Sequence, residues 1–424
     1  MALRFFCLQG PRTFVRALSR VCCPFFKFFS SNAALAQKAS AVKKTPLYDF
    51  HVAHEAKMVD FCGWYMPVVY SDQSIGQSHL HTRQHASIFD VSHMLQTRIS
   101  GADRTAFVES LTVADIDGLQ EGMAALTVFT NDAGGIKDDL IVTKDDDHLF
   151  IVSNAGCIEK DKEHLKHACD EWRKRGRDVV VEHPPNRAVL AIQGPEAVKV
   201  VQEGVRYDLR CLFFMSSVVT KVFGIPNCRI SRCGYTGEDG VEISVDSSNA
   251  VSLCEQLLNN SAKTSVKMAG LGARDSLRLE AGLCLYGNDM DDTTTPVEAG
   301  LAWLIAKARR QRGDFPGADV ILNQLKGNVS KRRVGLISKQ GRPPRAGYSI
   351  VNSSGENVGK ITSGCPSPVL KYNISFGYVP SQLATVGTKL RVDCTGKGVQ
   401  LVDVEVTKTP FVPHHYYLRK KAER

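Results

Sequence analysis

Arg232-Cys233-Gly234-Tyr235-Thr236-Gly237-Glu238-Asp239-Gly240-Val241-Glu242 sets a glycine-rich polar turn directly ahead of a strand. Within residues 236–240, glycine twice relieves the steric ban on positive φ. Beyond the turn, Val241, Ile243 and Val245 alternate with Glu242, Ser244 and Asp246, the period of extended chain. Glu242 is therefore expected on rigid backbone, on the face opposite the apolar side chains, where it can meet a ligand at a defined angle. A carboxylate on the polar face of a half-buried strand is more often simply solvated. Other segments have to decide between the two.

One of them is 129–142, Phe129-Thr130-Asn131-Asp132-Ala133-Gly134-Gly135-Ile136-Lys137-Asp138-Asp139-Leu140-Ile141-Val142. It is written as strand, glycine turn and strand, with Asp138 and Asp139 on opposite faces, one inward and one toward water. An inward Asp beside a substrate amine can hold an N–H, take a proton or stabilise a forming cation. Turn-adjacent aspartates also occur for purely local reasons. In 273–282, Arg274 opens a helical stretch with an apolar seam through Leu271, Leu277 and Leu279. Its guanidinium could fork onto a ligand carboxylate, or Arg274, Arg278 and Glu280 could form a solvated ionic face. The last aromatic cluster, Phe411-Val412-Pro413-His414-His415-Tyr416-Tyr417, offers Tyr416 as a lid or as an anchor for the terminus. Its adjacent histidines point opposite ways in extended chain and do not suggest a metal pair.

The whole chain, 424 residues with 43% hydrophobic and 23% charged composition, is globular and long enough for two or three domains. Its net charge of +9 sits mostly in the leader, where 1–44 carry Arg4, Arg12, Arg16, Arg20, Lys27, Lys38, Lys43 and Lys44 and no acid. Removing those eight leaves about +1, so basicity does not argue for a nucleic-acid partner. No run suits a membrane span. Arginines spread among Phe5, Phe6, Phe14 and Leu18 and followed by serine and alanine read as a mitochondrial transit peptide over 1–32. The scattered cysteines lack Cys-x-x-Cys spacing and read as buried thiols.

Strand-like runs at 125–129, 140–142, 149–152 and 187–192, with a helical stretch at 159–175, suggest an α+β body. The basic run 307–313 reads as a linker. Beyond 330, six short strands (333–337, 348–351, 360–362, 374–379, 389–392 and 402–406) predict a small β-barrel or sandwich. The sequence has no phosphate-binding loop, no dinucleotide fingerprint and no nucleophile elbow.

Taken in order, Lys44 to Asp49, Val59 to Trp64, Phe89 to Met94, Gly134 to Val142, Val152 to Ala155, Gly234 to Glu242, Ala273 to Gly282, Tyr286 to Asp289, Thr362 to Pro368 and Phe411 to Tyr417 resemble the T-proteins of the glycine cleavage system. The resemblance covers essentially everything after the leader. It implies an α+β fold of three domains in a cloverleaf around a folate site, with a small C-terminal β-barrel. The corresponding divisions are 33–310, two interleaved α+β domains, and 325–424, the barrel. It implies an aminomethyltransferase that uses tetrahydrofolate as co-substrate and no metal. Its partner would be the lipoylated H-protein, with the other glycine cleavage components, in the mitochondrial matrix, and neither nucleic acid nor membrane. It makes Asp139 catalytic and places Glu242, Arg274, Tyr416 and Asn154 in the folate and substrate pocket. Glu238 and Asp239 are then left to shape the turn. The alternatives are a non-catalytic folate-binding assembly factor of related fold, and the folate-binding half of dimethylglycine or sarcosine dehydrogenases, whose flavoprotein half has no room here.

Overall fold

The structure, a computed structural model, describes residues 42–259, 264–395 and 400–419. The leader at 1–32 lies outside them. Gly240–Asp246, the strand of the segment quoted first, runs antiparallel to Arg187–Gln193 on one side and to Ile225–Ser231 on the other. Ser217–Val222, Ala86–Asp90 and Val266–Met268 complete a six-stranded sheet. Val241, Ile243 and Val245 enter its apolar core beside Ile88, Leu190 and Ile230, as the alternation requires. Each such side chain contributes about 1.5–3 kcal/mol of burial.

A five-stranded sheet orders Ala124–Thr130, Ile136–Lys144, His148–Ser153, Leu95–Ser100 and Val180–Glu182. The helix Ile158–Lys174 packs Leu165 and Cys169 into its core. Ala86–Asp90 and Leu95–Ser100 are separated only by Val91-Ser92-His93-Met94, yet they belong to different sheets. The two layers are therefore interleaved along the chain. A smaller sheet joins Lys43–Lys44, Trp64–Tyr70 and Ala56–Phe61.

The C-terminal strands close into a barrel in the order Lys331–Ser338, Asn373–Pro380, Asn357–Pro366, Ser349–Val351, Lys389–Asp393 and Leu401–Thr407. Val402, Val404 and Val406 alternate inward along the last of these. The fold is thus α+β with a closed C-terminal barrel.

Two expectations fail. The basic run read as a linker is a helix, Lys307–Arg312, and Arg309 is 1% exposed. Its guanidinium donates to Glu109 Oε2 at 2.8 Å and to the Thr112 carbonyl at 3.1 Å. Phe315, Ala318 and Ile321 then pack with Val113, Val128 and Ile136 in one apolar cluster. Charge density along a sequence does not distinguish a solvated arginine from one that meets its carboxylate inside. The cysteines also divide: Cys62 and Cys211 are exposed, while the other described cysteines are buried.

The barrel is fastened to the body through the helix Leu271–Glu280. Pairing of Asn357–Pro366 with Asn373–Pro380 shifts register between Ile361 and Ser363. That bulge turns two consecutive side chains toward the helix. Arg278 donates to Ser363 Oγ at 2.8 Å and to Asp289 Oδ2 at 2.6 Å, and Thr362 donates to Asp289 Oδ1 at 2.6 Å. Arg278 and Asp289 are 2% and 1% exposed, so neither charge has water as an alternative partner. Arg278→Leu should cost about 3–5 kcal/mol, because it leaves Asp289 buried and unpaired. The denaturant midpoint will report it, and Arg278→Lys should recover only part, lacking the planar fork.

Candidate active site

Along Ile136–Lys144 the side chains alternate, with Ile136, Asp138 and Leu140 buried and Lys137, Asp139 and Ile141 half-buried. Asp138 is wholly inside, and Asp139, on the opposite face, is itself largely withdrawn, so neither of the pair faces open water. Against it lies Asn154, the residue after His148–Ser153, the neighbouring strand. Its side-chain nitrogen lies 2.9 Å from Asp138 Oδ1, 2.8 Å from Asp139 Oδ1 and 3.1 Å from the Asp139 carbonyl. Three acceptors around one atom require that atom to be the amide nitrogen. Burial raises the Asp139 carboxyl to about 6, a shift that the Asn154 hydrogen bond opposes. Asp139 is therefore a carboxylate that ionises near neutrality, held by an amide that favours its charged form.

Glu242 lies on the face opposite the six-stranded sheet's core, paired with Ala191 and Ser231. It is half-buried, not solvated. Burial raises its carboxyl, and Arg274 pulls in the other direction. Burial lowers Arg274, and Glu242 opposes that shift in turn. Among the described residues the two form no direct ion pair, and Arg274 Nη1 is buried with no hydrogen-bond partner. The guanidinium lies over the Tyr235 ring, 5.0 Å from its centroid. The reading of Arg274, Arg278 and Glu280 as a solvated ionic face is thus overturned, since Arg278 and Glu280 are fully inside. Tyr235 connects the two halves of the site. Its ring faces Arg274, its hydroxyl donates to the Cys284 carbonyl, and the Asp139 charge acts on its phenol.

The C-terminal segment covers this region. The Val412 and His415 N–H groups donate to the carbonyls of Glu280 and Gly237 at 3.0 and 2.8 Å. Gly237 has φ +80°, and a Cβ there would come within 2.9 Å of Ala281, so the turn needs glycine for conformation and for space. His414 and His415 diverge as expected: His414 Nε2 reaches the Ala281 carbonyl at 2.7 Å, and His415 Nδ1 reaches Glu238 Oε2 at 2.9 Å. Tyr416 stacks on Phe214 with centroids 4.0 Å apart, and burial pushes its phenol up to about 12. Cys233, beside Glu242, acts electrostatically on Tyr416.

Glu238 does more than shape the turn. It accepts from Arg83 at 2.8 Å, and Arg83 in turn donates to Glu280 at 2.9 Å. Asp239 forms its own pair with Arg232 at 2.5 Å. Tyr235 thus lies within electrostatic reach of both Asp139 and Arg274, and Cys233 within reach of both Glu242 and Tyr416. Sequence reasoning passed over Arg83, Tyr235 and Asp161; of these, only Asp161 carries a local signal, an acid in the first turn of a helix. Among the described residues, no group of three or more His, Cys, Asp or Glu side chains is placed to hold a metal.

Comparison with known proteins gives one answer. A family model described as the GCVT N-terminal domain matches residues 47–309, and one described as the glycine cleavage T-protein C-terminal barrel domain matches residues 331–413. The Homo sapiens protein named "Aminomethyltransferase, mitochondrial" is 53% identical over 410 residues, spanning 96% of this chain and 100% of its own. The Pisum sativum protein of the same name is 50% identical over 379 residues, spanning 89% and 91%. Among solved structures, the glycine cleavage system aminomethyltransferase T from Bartonella henselae is 35% identical, with a TM-score of 0.81 over 89% of this chain and 99% of its own.

Because burial raises Asp139, the fold favours its protonated form. That contribution is complete below the ordinary carboxylate range and is lost as the pH rises through about 6. Asp139→Asn has no charge to bury. It should melt at a higher temperature than the natural protein at about pH 8, with the gap narrowing steadily toward pH 4 in thermal melts.

Proposed function

The chain belongs to the glycine cleavage T-protein family and is an aminomethyltransferase of the glycine cleavage system, and we propose that its substrates are tetrahydrofolate and the aminomethyl-dihydrolipoyl arm of a lipoylated H-protein. The one-carbon unit passes to the folate as 5,10-methylenetetrahydrofolate, ammonia leaves, and the dihydrolipoyl carrier is released. The observation that supports this most directly is the open pairing of Glu242 with Arg274. A half-buried carboxylate, contacted by the Cys233 thiol, and a guanidinium with an orphaned Nη1 lie near each other without forming an ion pair. Such a site suits a ligand bearing adjacent N–H donors together with anionic groups, as a folate does.

In this reading Glu242 accepts the amino and ring N–H groups of the pterin, which fixes orientation as well as affinity. Arg274 supplies positive charge to folate's anionic portion, and Tyr416 closes the pocket from the tail. Asp139 places a negative charge where cationic character develops as ammonia departs. Asn154 keeps that carboxylate oriented and ionised, with the hydrogen bond at 2.8 Å. We assign 33–310 to the folate-binding region and 325–424 to the barrel domain. The mitochondrial names of the relatives and the basic leader favour a matrix address, with 1–32 as the transit peptide.

Purified protein supplied with aminomethylated H-protein should release ammonia and form methylene-folate only when tetrahydrofolate is present. Folate-independent turnover would contradict the reading. Asp139→Asn should reduce ammonia release by about a thousandfold or more while folate affinity stays within about tenfold. Near-normal turnover of that variant would remove Asp139 from the chemistry. Glu242→Ala should lose folate binding, and calorimetry showing unchanged affinity would remove it from the pterin site.

A further inference from the structure

Asp138 has no task in the reaction described, yet it is completely buried beside Asp139. Its carboxyl is in hydrogen-bond contact with that of Asp161, which projects from the first turn of Ile158–Lys174. The two are 0% and 1% exposed. Two ionised carboxylates cannot occupy such a place, because their repulsion at contact adds to the cost of burying each. The other donors at the pair are Asn154, Ser153 and the Cys157 thiol, which contacts Asp138. The Asn154 backbone N–H and side-chain amide donate to Asp138 Oδ2 and Oδ1 at 3.1 and 2.9 Å, and Ser153 donates to Asp161 Oδ2 at 2.7 Å. Carboxyl meets carboxyl in what remains, and that contact is attractive only with a proton between them.

We propose that Asp138 and Asp161 form an acid pair sharing one proton, which clamps Asn154 and through it aims Asp139, so that Asp161 is a positioning residue of the transfer reaction. The proposal rests on Asp139 as the reacting carboxylate. An amide has two side-chain N–H groups; here one is committed to Asp138 and the other to Asp139. Were Asp138 free to turn, the Asn154 amide could turn with it and release Asp139.

Sharing a proton also limits the negative charge around Asp139, whose ionisation Asp161 opposes. Lys137 and Lys160 face Asp161 and favour its charge. Cys157 and Tyr286 face Asp138, and Tyr235 and Cys284 face Asp139. Burial raises all four of these groups, so they remain neutral across the working range and leave the charges to the three aspartates and the two lysines.

Two measurements test the pair, one of them independent of activity. Infrared difference spectra of the natural protein against Asp138→Asn at about pH 8, where ordinary carboxyls are ionised, should show a protonated-carboxyl band that the variant lacks. Absence of that band would overturn the shared proton whatever the role of Asp139. Asp161→Asn should lower kcat about tenfold, with KM for tetrahydrofolate within about threefold, and should move the acid limb of the kcat profile to lower pH. An acid limb that stays in place or moves upward would overturn the positioning role. Asp138→Asn keeps the shape of a neutral acid and one of the two bonds from Asn154, the amide oxygen still accepting, so its loss of kcat should be at least about a hundredfold smaller than that of Asp139→Asn. Equal losses in those two variants would also overturn the pair. A failure of Asp139 itself would instead appear as retained turnover in Asp139→Asn.

Discussion

The ion pair of Arg278 with Asp289 is the constraint on which the remainder depends. It is buried on both sides, and it joins a helix of the body to a bulged strand of the barrel through Ser363 and Thr362. A buried charge with a single set of partners defines one relative placement, because every other placement leaves it unpaired. The helix that carries Arg278 also carries Arg274 toward Glu242, and Glu280 toward Arg83. Fixing that helix therefore fixes the candidate site and the anchorage of the tail together.

Charge is handled differently at the periphery of the site and at its centre. Around the rim, Glu280, Arg83, Glu238 and His415 follow one another with contacts of 2.8–2.9 Å, so each carboxylate meets a cation or a ring nitrogen. At the centre, Asp139, Glu242 and Arg274 are withdrawn from water without direct ion pairing to one another. Groups held in this way are costly to the fold and available to a ligand. The ion-paired rim supports a centre whose charges lack ionic partners, and the tail that carries Tyr416 is anchored to the rim.

Much of this was legible in the chain. The alternation around Val241 and the glycines of 236–240 predict a strand after a fixed turn, and the structure places Glu242 opposite the apolar core as that alternation requires. The six short strands beyond 330 are legible from the glycines and prolines that break them, and Leu401–Thr407 buries one side of a two-residue period, although 374–377 are buried on both faces. The run at 307–313 was misread because seven residues dense in arginine look alike whether or not one of them, Arg309, finds Glu109. The aspartate pair was read correctly as facing two ways. The amide that Asp139 meets belongs to Asn154, fifteen residues further along the chain, and nothing local to the pair announces it.

What the sequence determined by itself is what depends on neighbours along the chain: the periodicity that builds the strands, the glycine turn, the closed barrel of short strands, and an ordered set of motifs that identifies the family. Only the tertiary structure decided which charges are buried, which are paired and which are left open. Asp138 with Asp161, Arg278 with Asp289, and Glu238 with both Arg83 and His415 are contacts between segments far apart or on different elements. A side chain's charge state and orientation follow from the dielectric and the partners that surround it, and both exist only once the chain has folded.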